Sequence, residues 1–111
     1  MRNLEYLVVN HNNLSGELPA FLGNLTNLIR LHLTDNHLLG CIPPEIENLE
    51  KLFDLGLSAN QLSGNIPKET GKMRNTAFLA LDTNNLYGAF PVFLINSTCL
   101  TGLHLYYNNL S

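Results

Sequence analysis

Residues 28–43 read Leu-Ile-Arg-Leu-His-Leu-Thr-Asp-Asn-His-Leu-Leu-Gly-Cys-Ile-Pro, and residues 52–67 read Leu-Phe-Asp-Leu-Gly-Leu-Ser-Ala-Asn-Gln-Leu-Ser-Gly-Asn-Ile-Pro. Superposed at a spacing of 24 residues, the two agree at three Leu, one Asn, a further Leu, Gly, Ile and Pro, and nowhere else. A fixed period of that length marks a chain built from stacked copies of one small unit. The register extends outward without insertion or deletion. Leu4, Leu28, Leu52, Thr76 and Leu100 form one column; Leu7, Leu31, Leu55, Leu79 and Leu103 form a second. Val9, Leu33, Leu57, Leu81 and Leu105 form a third, and Leu14, Leu38, Leu62, Leu86 and Leu110 a fourth. Asn12, Asn36, Asn60, Asn84 and Asn108 line up between them, followed by Gly16, Gly40, Gly64 and Gly88 and then Pro19, Pro43, Pro67 and Pro91.

Each column has a physical reason. Around Leu28 to Leu33 the chain alternates as a strand does, with Leu31 and Leu33 on one face and Arg30, His32 and Thr34 on the other. A strand so short cannot bury its apolar face alone, but copies stacked at about 4.8 Å make a parallel sheet and a shared core. Each inward Leu then contributes about 1.5–3 kcal/mol by leaving water. The Asn column falls where the chain turns away from the sheet, and a buried amide there can bond turn backbone that no strand reaches. The following Gly permits positive φ. The Pro fixes φ and bars a regular helix from upstream. The rest of the unit, such as Pro44 to Leu49, returns on the convex side as a short helix or 3₁₀ turn. The spacing predicts an α/β solenoid of about 4.5 repeats of 24 residues.

Composition narrows the function. With 45% hydrophobic residues, 14% charged residues and a net charge of −3, the chain can build a core but offers no basic footprint for nucleic acid. No apolar run approaches the length of about 20 residues that a membrane span needs, and Met1 to Glu5 show no apolar leader. No membrane contact is expected from this segment itself.

The stretches LSGELP (14–19), LLGCIP (38–43), LSGNIP (62–67) and LYGAFP (86–91) resemble the L-x-G-x-I-P element of plant-specific leucine-rich repeats, and with the preceding L-x-x-L-x-L-x-x-N the likeness covers the whole chain. The resemblance implies a right-handed superhelix with a parallel concave β-sheet, short helical or 3₁₀ convex segments, and a second short strand at each L-x-G-x-I-P. It also implies an extracellular setting: ectodomains of receptor-like kinases and receptor-like proteins, or polygalacturonase-inhibiting proteins of the cell wall. One array over 1–111 is expected, with 1–3 closing a preceding repeat, full repeats at 4–27, 28–51, 52–75 and 76–99, and a partial one at 100–111. The family's cysteine-bearing caps are missing, so the array is read as a piece of a longer ectodomain. Thr76, Thr70, Met73 and Ser97 replace apolar column residues, three of them within 70–76, where the weakest packing is expected.

Strand alternation selects the candidate ligand-binding residues of the concave face. They are Tyr6, Val8 and Asn10; Arg30, His32 and Thr34; Asp54 and Ser58, with Gly56 between them; Phe78 and Asp82, with Ala80 between them; and His104 and Tyr106, after Gly102. Aromatic residues and Arg dominate binding hot spots. Arg30 and Asp54 share a column in adjacent repeats and are expected to meet. His32 and His104 share one too, but lie three repeats apart, roughly 14 Å at sheet spacing, too far for one metal. His11 and His37 fall in or beside turns, so no metal site and no cofactor is expected. No G-x-S-x-G, phosphate loop or H-E-x-x-H is present and an open sheet makes no cleft, so catalysis is not expected. Cys41 and Cys99 fall on different faces two to three repeats apart, beyond the Cα separation of about 7 Å that a disulfide tolerates. Sequons begin at Asn13, Asn24, Asn96 and Asn109, each expected in a turn or on the convex return.

These residues point to a non-catalytic scaffold that binds a protein or peptide ligand, with a second repeat ectodomain acting as co-receptor a further partner. A secreted enzyme inhibitor is the alternative. An ice-binding or purely structural role has only Thr34 and Thr83 in its favour.

Overall fold

A computed structural model of the chain describes residues 3–94 and 99–111. Each repeat opens with a three-residue strand: β1 (Tyr6–Val8), β3 (Arg30–His32), β5 (Asp54–Gly56), β7 (Phe78–Ala80) and β9 (Gly102–His104). These pair in parallel, in the order β1-β3-β5-β7-β9. Their register matches the sequence period, with Tyr6 opposite Arg30, Arg30 opposite Asp54, and so on through Gly102. A second strand follows each turn: β2 (Ser15–Glu17), β4 (His37–Gly40), β6 (Gln61–Gly64), β8 (Asn85–Gly88) and β10 (Asn109–Leu110). They form the second parallel sheet expected at each L-x-G-x-I-P element. The chain returns through 3₁₀ turns η1 (Ala20–Asn24), η2 (Pro44–Asn48), η3 (Lys68–Lys72) and η4 (Val92–Leu94).

The apolar columns fill the space between sheets and turns. Leu28, Leu31, Leu52, Leu57, Leu62 and Leu86 are wholly buried, and Ile46 and Leu94 close the core from the convex side. Gly16, Gly40, Gly64 and Gly88 take φ of 85°, 78°, 79° and 96°, the left-handed region the turn demands. A second left-handed column has no glycine. His11, Asp35, Ala59, Thr83 and Tyr107 have φ between 55° and 59°, each immediately before a column Asn. The strain is offset by the hydrogen bonds that this geometry allows the Asn to make.

The Asn column forms a ladder. The Asn36 amide donates to Val9, Leu33 and Thr34 carbonyls at 3.1, 2.9 and 3.3 Å, while its oxygen accepts the Asn12 and Leu14 N–H groups at 3.2 Å. Asn60 and Asn84 repeat the pattern, accepting from the N–H groups of Leu38 and Leu62 at 3.1 and 3.0 Å. Inner Leu carbonyls of the third column are shared by two amides: the Leu33 carbonyl by Asn36 and Asn60, and the Leu57 carbonyl by Asn60 and Asn84. Asn12 is exposed and Asn108 half-buried, because each has a described repeat on one side only.

One expectation about packing is corrected. Residues 70–76 are not loosely packed: Thr70, Met73 and Thr76 are all buried. The hydroxyls that replace apolar atoms there find backbone acceptors, Thr76 Oγ1 donating to the Leu52 carbonyl at 2.9 Å and Thr70 Oγ1 to that of Pro67 at 2.7 Å. Ser97 lies outside the described residues. Conversely Phe90, in the column of Leu18, Ile42 and Ile66, is 43% exposed where those three are buried. A phenyl ring does not enter a slot shaped for a branched aliphatic chain.

Candidate functional site

The three-residue strands carry the candidate face. Their middle residues, Leu7, Leu31, Leu55, Leu79 and Leu103, belong to the core or pack against it. The residues on either side therefore face outward, and Tyr6, Val8, Phe78 and Tyr106 are 57%, 51%, 44% and 54% exposed. These large apolar groups stand in solvent on a sheet that cannot yield, because every strand is tied into the ladder.

Charged groups lie between the apolar ends. Arg30 Nε approaches Asp54 Oδ2 at 3.3 Å, and His32 Nε2 comes within 2.9 Å of Asp54 Oδ1. The latter contact is not angled as a hydrogen bond, and His32 Nε2 has no other partner among the described residues, so the attraction there depends on the charge of the imidazole ring. The His32 ring reaches Asp54 by leaning over Gly56, where an added Cβ would stand 3.1 Å from the ring. Arg30 to Asp54 was legible as a column pair. The diagonal from His32 was not, since it needs the glycine to make room.

Asp82 corrects the expectation of a free outward side chain. It is 7% exposed, its carboxylate accepting Ser58 Oγ at 2.6 Å and Thr83 Oγ1 at 3.2 Å. Its negative charge also raises the Tyr106 phenol above the ordinary 10.0, with a hydrogen bond between them adding to the effect. Asp82 thus fastens the face together. Asn10 and Thr34 are tied in the same row, the Thr34 N–H donating to Asn10 Oδ1 at 2.7 Å. Gly56 is buried and presents no side chain. His104 stacks edge-on to Tyr106 at 5.8 Å, and Tyr106 to Tyr107 at 5.3 Å.

Two exposed aromatics beside the concave strands, Phe53 and Tyr107, escaped the sequence reading. Phe53 is 44% exposed and meets Phe78 edge to face at 5.5 Å. It precedes β5, which begins only at Asp54, so the period-2 rule does not reach it. Tyr107 is 77% exposed because its left-handed backbone turns it off the strand. Phe53, Ile29, Ala77, Cys99 and Thr101 line an open, largely apolar groove beside the strand starts.

The remaining candidates are scattered. His11 pairs with Asp35 at 2.8 Å in a fully exposed turn. Cys41 and Cys99 are exposed free thiols. Among the described residues no three His, Cys, Asp or Glu side chains gather to hold a metal ion, and no helix is long and apolar enough to cross a membrane. Asn13 and Asn24 are exposed, in a loop and at the end of η1. Asn109, expected in a turn, instead opens β10. Asn96 lies outside the described residues.

The family model for the leucine-rich repeat matches residues 2–62. None of the curated proteins matches the chain. Among solved structures, PEPR1–AtPEP1 is 44% identical with a TM-score of 0.93, over 96% of this chain and 15% of that one. The Arabidopsis receptor kinase HAESA, in complex with the peptide hormone IDA and the co-receptor SERK1, is 40% identical with a TM-score of 0.93, over 97% of this chain and 18% of that one. A plant ice-binding protein is 34% identical with a TM-score of 0.89, over 94% of this chain and 34% of that one. The chain therefore spans less than a fifth of the first two and a third of the last. With its period, its two parallel sheets and its asparagine ladder, the chain belongs to the leucine-rich repeat family, as an array of the plant-specific repeat.

Proposed function

We propose that this array is a recognition segment of a plant receptor ectodomain, outside the cell, holding a peptide or protein against its concave sheet. Within the ectodomain family the repeats are non-catalytic, and the array here does its work by presenting a fixed surface. The observation that carries the reading is the row of large groups, Tyr6, Val8, Phe78 and Tyr106, that stand exposed on the concave sheet. Arg30, neutralised in part by Asp54, and the His32 ring beside it supply polar discrimination between the apolar ends. The complex of HAESA with a peptide hormone and a co-receptor supports the reading, and a co-receptor ectodomain is the natural second partner.

The likeness to an ice-binding protein favours a second reading. An ice-facing row needs the same hydroxyl side chain at regular spacing, whereas the row Asn10, Thr34, Ser58, Asp82, Tyr106 changes size and chemistry at every rung. Pull-down from plant apoplastic fluid tests the first reading, using the chain and its Phe78→Ala and Tyr106→Ala variants. A peptide or protein retained by the parent and weakened tenfold or more by either variant is expected, the loss typical of a hot spot. Retention unaffected by both variants would place binding elsewhere, and ice-growth inhibition by the same material would favour the second reading.

A further inference from the structure

The smallest side chains of the concave sheet adjoin one another. Ala80 pairs with Gly56 on one side and with His104 on the other, and Gly102 lies opposite Phe78. Larger rings lean over both glycines. A Cβ added at Gly56 would stand 3.1 Å from the His32 ring, and one at Gly102 would stand 3.0 Å from the Phe78 ring. Ala80, half-buried, is left as the floor of a hollow. His32 and His104 close it along the sheet, Phe78 stands on one flank, and Asp82 with Tyr106 stands on the other.

The charges around this floor do not cancel. Asp54 faces the guanidinium of Arg30 at 3.3 Å. Asp82 has no such partner: among the described residues no Lys, Arg or His nitrogen comes within ion-pair reach of it. Its carboxylate is held by the hydroxyls of Ser58 and Thr83, which are dipoles and leave the net charge in place. A nearly buried charge without a counter-ion is costly. Its field reaches across the hollow, since it raises the Tyr106 phenol by opposing a second negative charge there. A positive charge at the same place is favoured for the same reason. The faces of the Phe78 and Tyr106 rings are electron-rich and act in the same direction.

We infer that the hollow over Ala80 takes a positively charged side chain, arginine or lysine, from the peptide or protein held on the concave sheet. The inference rests on the recognition reading above and names the chemistry of its ligand. The aliphatic stem of the incoming side chain lies against the Ala80 methyl and the Phe78 ring, while the cationic head settles beside Asp82 and Tyr106. A carboxylate offers about four acceptor positions, so Ser58 and Thr83 keep their bonds. An acidic side chain is repelled by Asp82, and a neutral polar one gives up water for a weaker attraction.

The test uses the full chain with its alanine methyl groups labelled for NMR, the Ala80 signal being assigned from Ala80→Gly. The probes are N-acetyl-arginine amide and N-acetyl-lysine amide, blocked so that the side chain carries the only charge, and N-acetyl-citrulline amide as the neutral isostere of arginine. Both cations are expected to shift the Ala80 methyl saturably in the millimolar range, with citrulline weaker by about tenfold or more, the typical effect of a charge-assisted contact. Asp82→Asn removes the preference for the cations. Ala80→Leu fills the floor without changing any charge and abolishes binding, and it carries the test should Asp82→Asn lower the melt. No saturable shift in the millimolar range, citrulline binding as well as arginine, or affinities indifferent to both variants would overturn the inference. It also fails apart from the recognition reading. A partner retained in the pull-down whose binding ignores Asp82→Asn and Ala80→Leu sinks the inference alone, whereas blocked arginine bound over Ala80 with no partner retained sinks the recognition reading and leaves the cation site standing.

Discussion

Asn60→Ala is expected to destabilise the array by about 2–3 kcal/mol, and the structure shows where that figure arises. The Asn60 oxygen is the acceptor for the Leu38 N–H at 3.1 Å. Leu38 is buried and its N–H has no other described partner, so the substitution leaves a desolvated donor worth about 1–3 kcal/mol. The donor side of the amide costs far less to lose. The Leu33 carbonyl keeps Asn36 at 2.9 Å, the Leu57 carbonyl keeps Asn84 at 3.0 Å, and the Ser58 carbonyl keeps the Asp35 N–H at 2.9 Å. A small void adds about 0.5–1 kcal/mol. For a domain of this size the sum lowers Tm by roughly 10–20 °C, read by far-UV circular dichroism and checked against a urea midpoint. Asn60→Asp keeps the acceptor but sets a carboxylate against three carbonyls. It is expected to be worse than Ala at neutral pH and to recover in acid, where the carboxyl protonates. Asn12→Ala, at an exposed rung, should cost less than half as much. An Asn60→Ala melt within about 0.5 kcal/mol of the parent would refute the ladder as a source of stability.

Ala59→Gly is expected to raise the urea midpoint, by up to about 1 kcal/mol: φ of 55° strains an L-residue by about 1–2 kcal/mol, and the glycine gives back about 0.5–1 in unfolded-chain entropy. Gly64→Ala is expected to cost more than about 1 kcal/mol, because φ is +79° and the new Cβ would stand 2.7 Å from Cys41 Sγ; adding Cys41→Gly should restore part of the loss, and a melt that ignores Cys41 would show that only backbone strain matters. The Tyr106 phenol titrates above its ordinary 10.0 chiefly because of the Asp82 charge, so Asp82→Asn should move its ultraviolet titration down toward 10. The raised value means Tyr106 supports the fold fully below about pH 10 and loses that support as pH rises through the folded titration; an unchanged midpoint in Asp82→Asn would remove Asp82 as the cause.

Which parts of this were legible in the sequence follows from what recurs. Anything repeated every 24 residues announces itself: the leucine columns, the asparagine rungs, the Gly turns and the L-x-G-x-I-P strands all fall where the period puts them. What varies from rung to rung was legible only as position. Alternation placed Tyr6, Val8, Phe78 and Tyr106 in solvent, yet it could not foresee that Ser58 and Thr83 would draw Asp82 under cover, or that Gly56 would let His32 lean across to Asp54. Phe53 was missed because the strand is three residues long and the period-2 rule ends with it. The loose seam expected at 70–76 came from counting apolar atoms; Thr70 and Thr76 bury hydroxyls that have carbonyls waiting, and a satisfied hydroxyl packs as well as a methyl.

The same division explains why one scaffold can present many surfaces. Bonds between repeats join residues 22 to 27 apart, and those of the core run through backbone groups and the asparagine amides. A side chain on the concave strands can then change without loosening the stack, provided it does not itself cross to the next rung. Among the described residues the side chains of Tyr6 and Val8 make no hydrogen bond or ion pair to a neighbouring repeat, so substitution there changes chiefly what a partner meets, whereas the Phe78 ring also packs edge to face on Phe53. Asp54 and Asp82 do cross, one to Arg30 and the other to Ser58, and each fixes the orientation of groups on the adjacent strand. Variation at those two positions rearranges a patch rather than one contact, and for that reason they govern the shape of the face more than its exposed aromatics do.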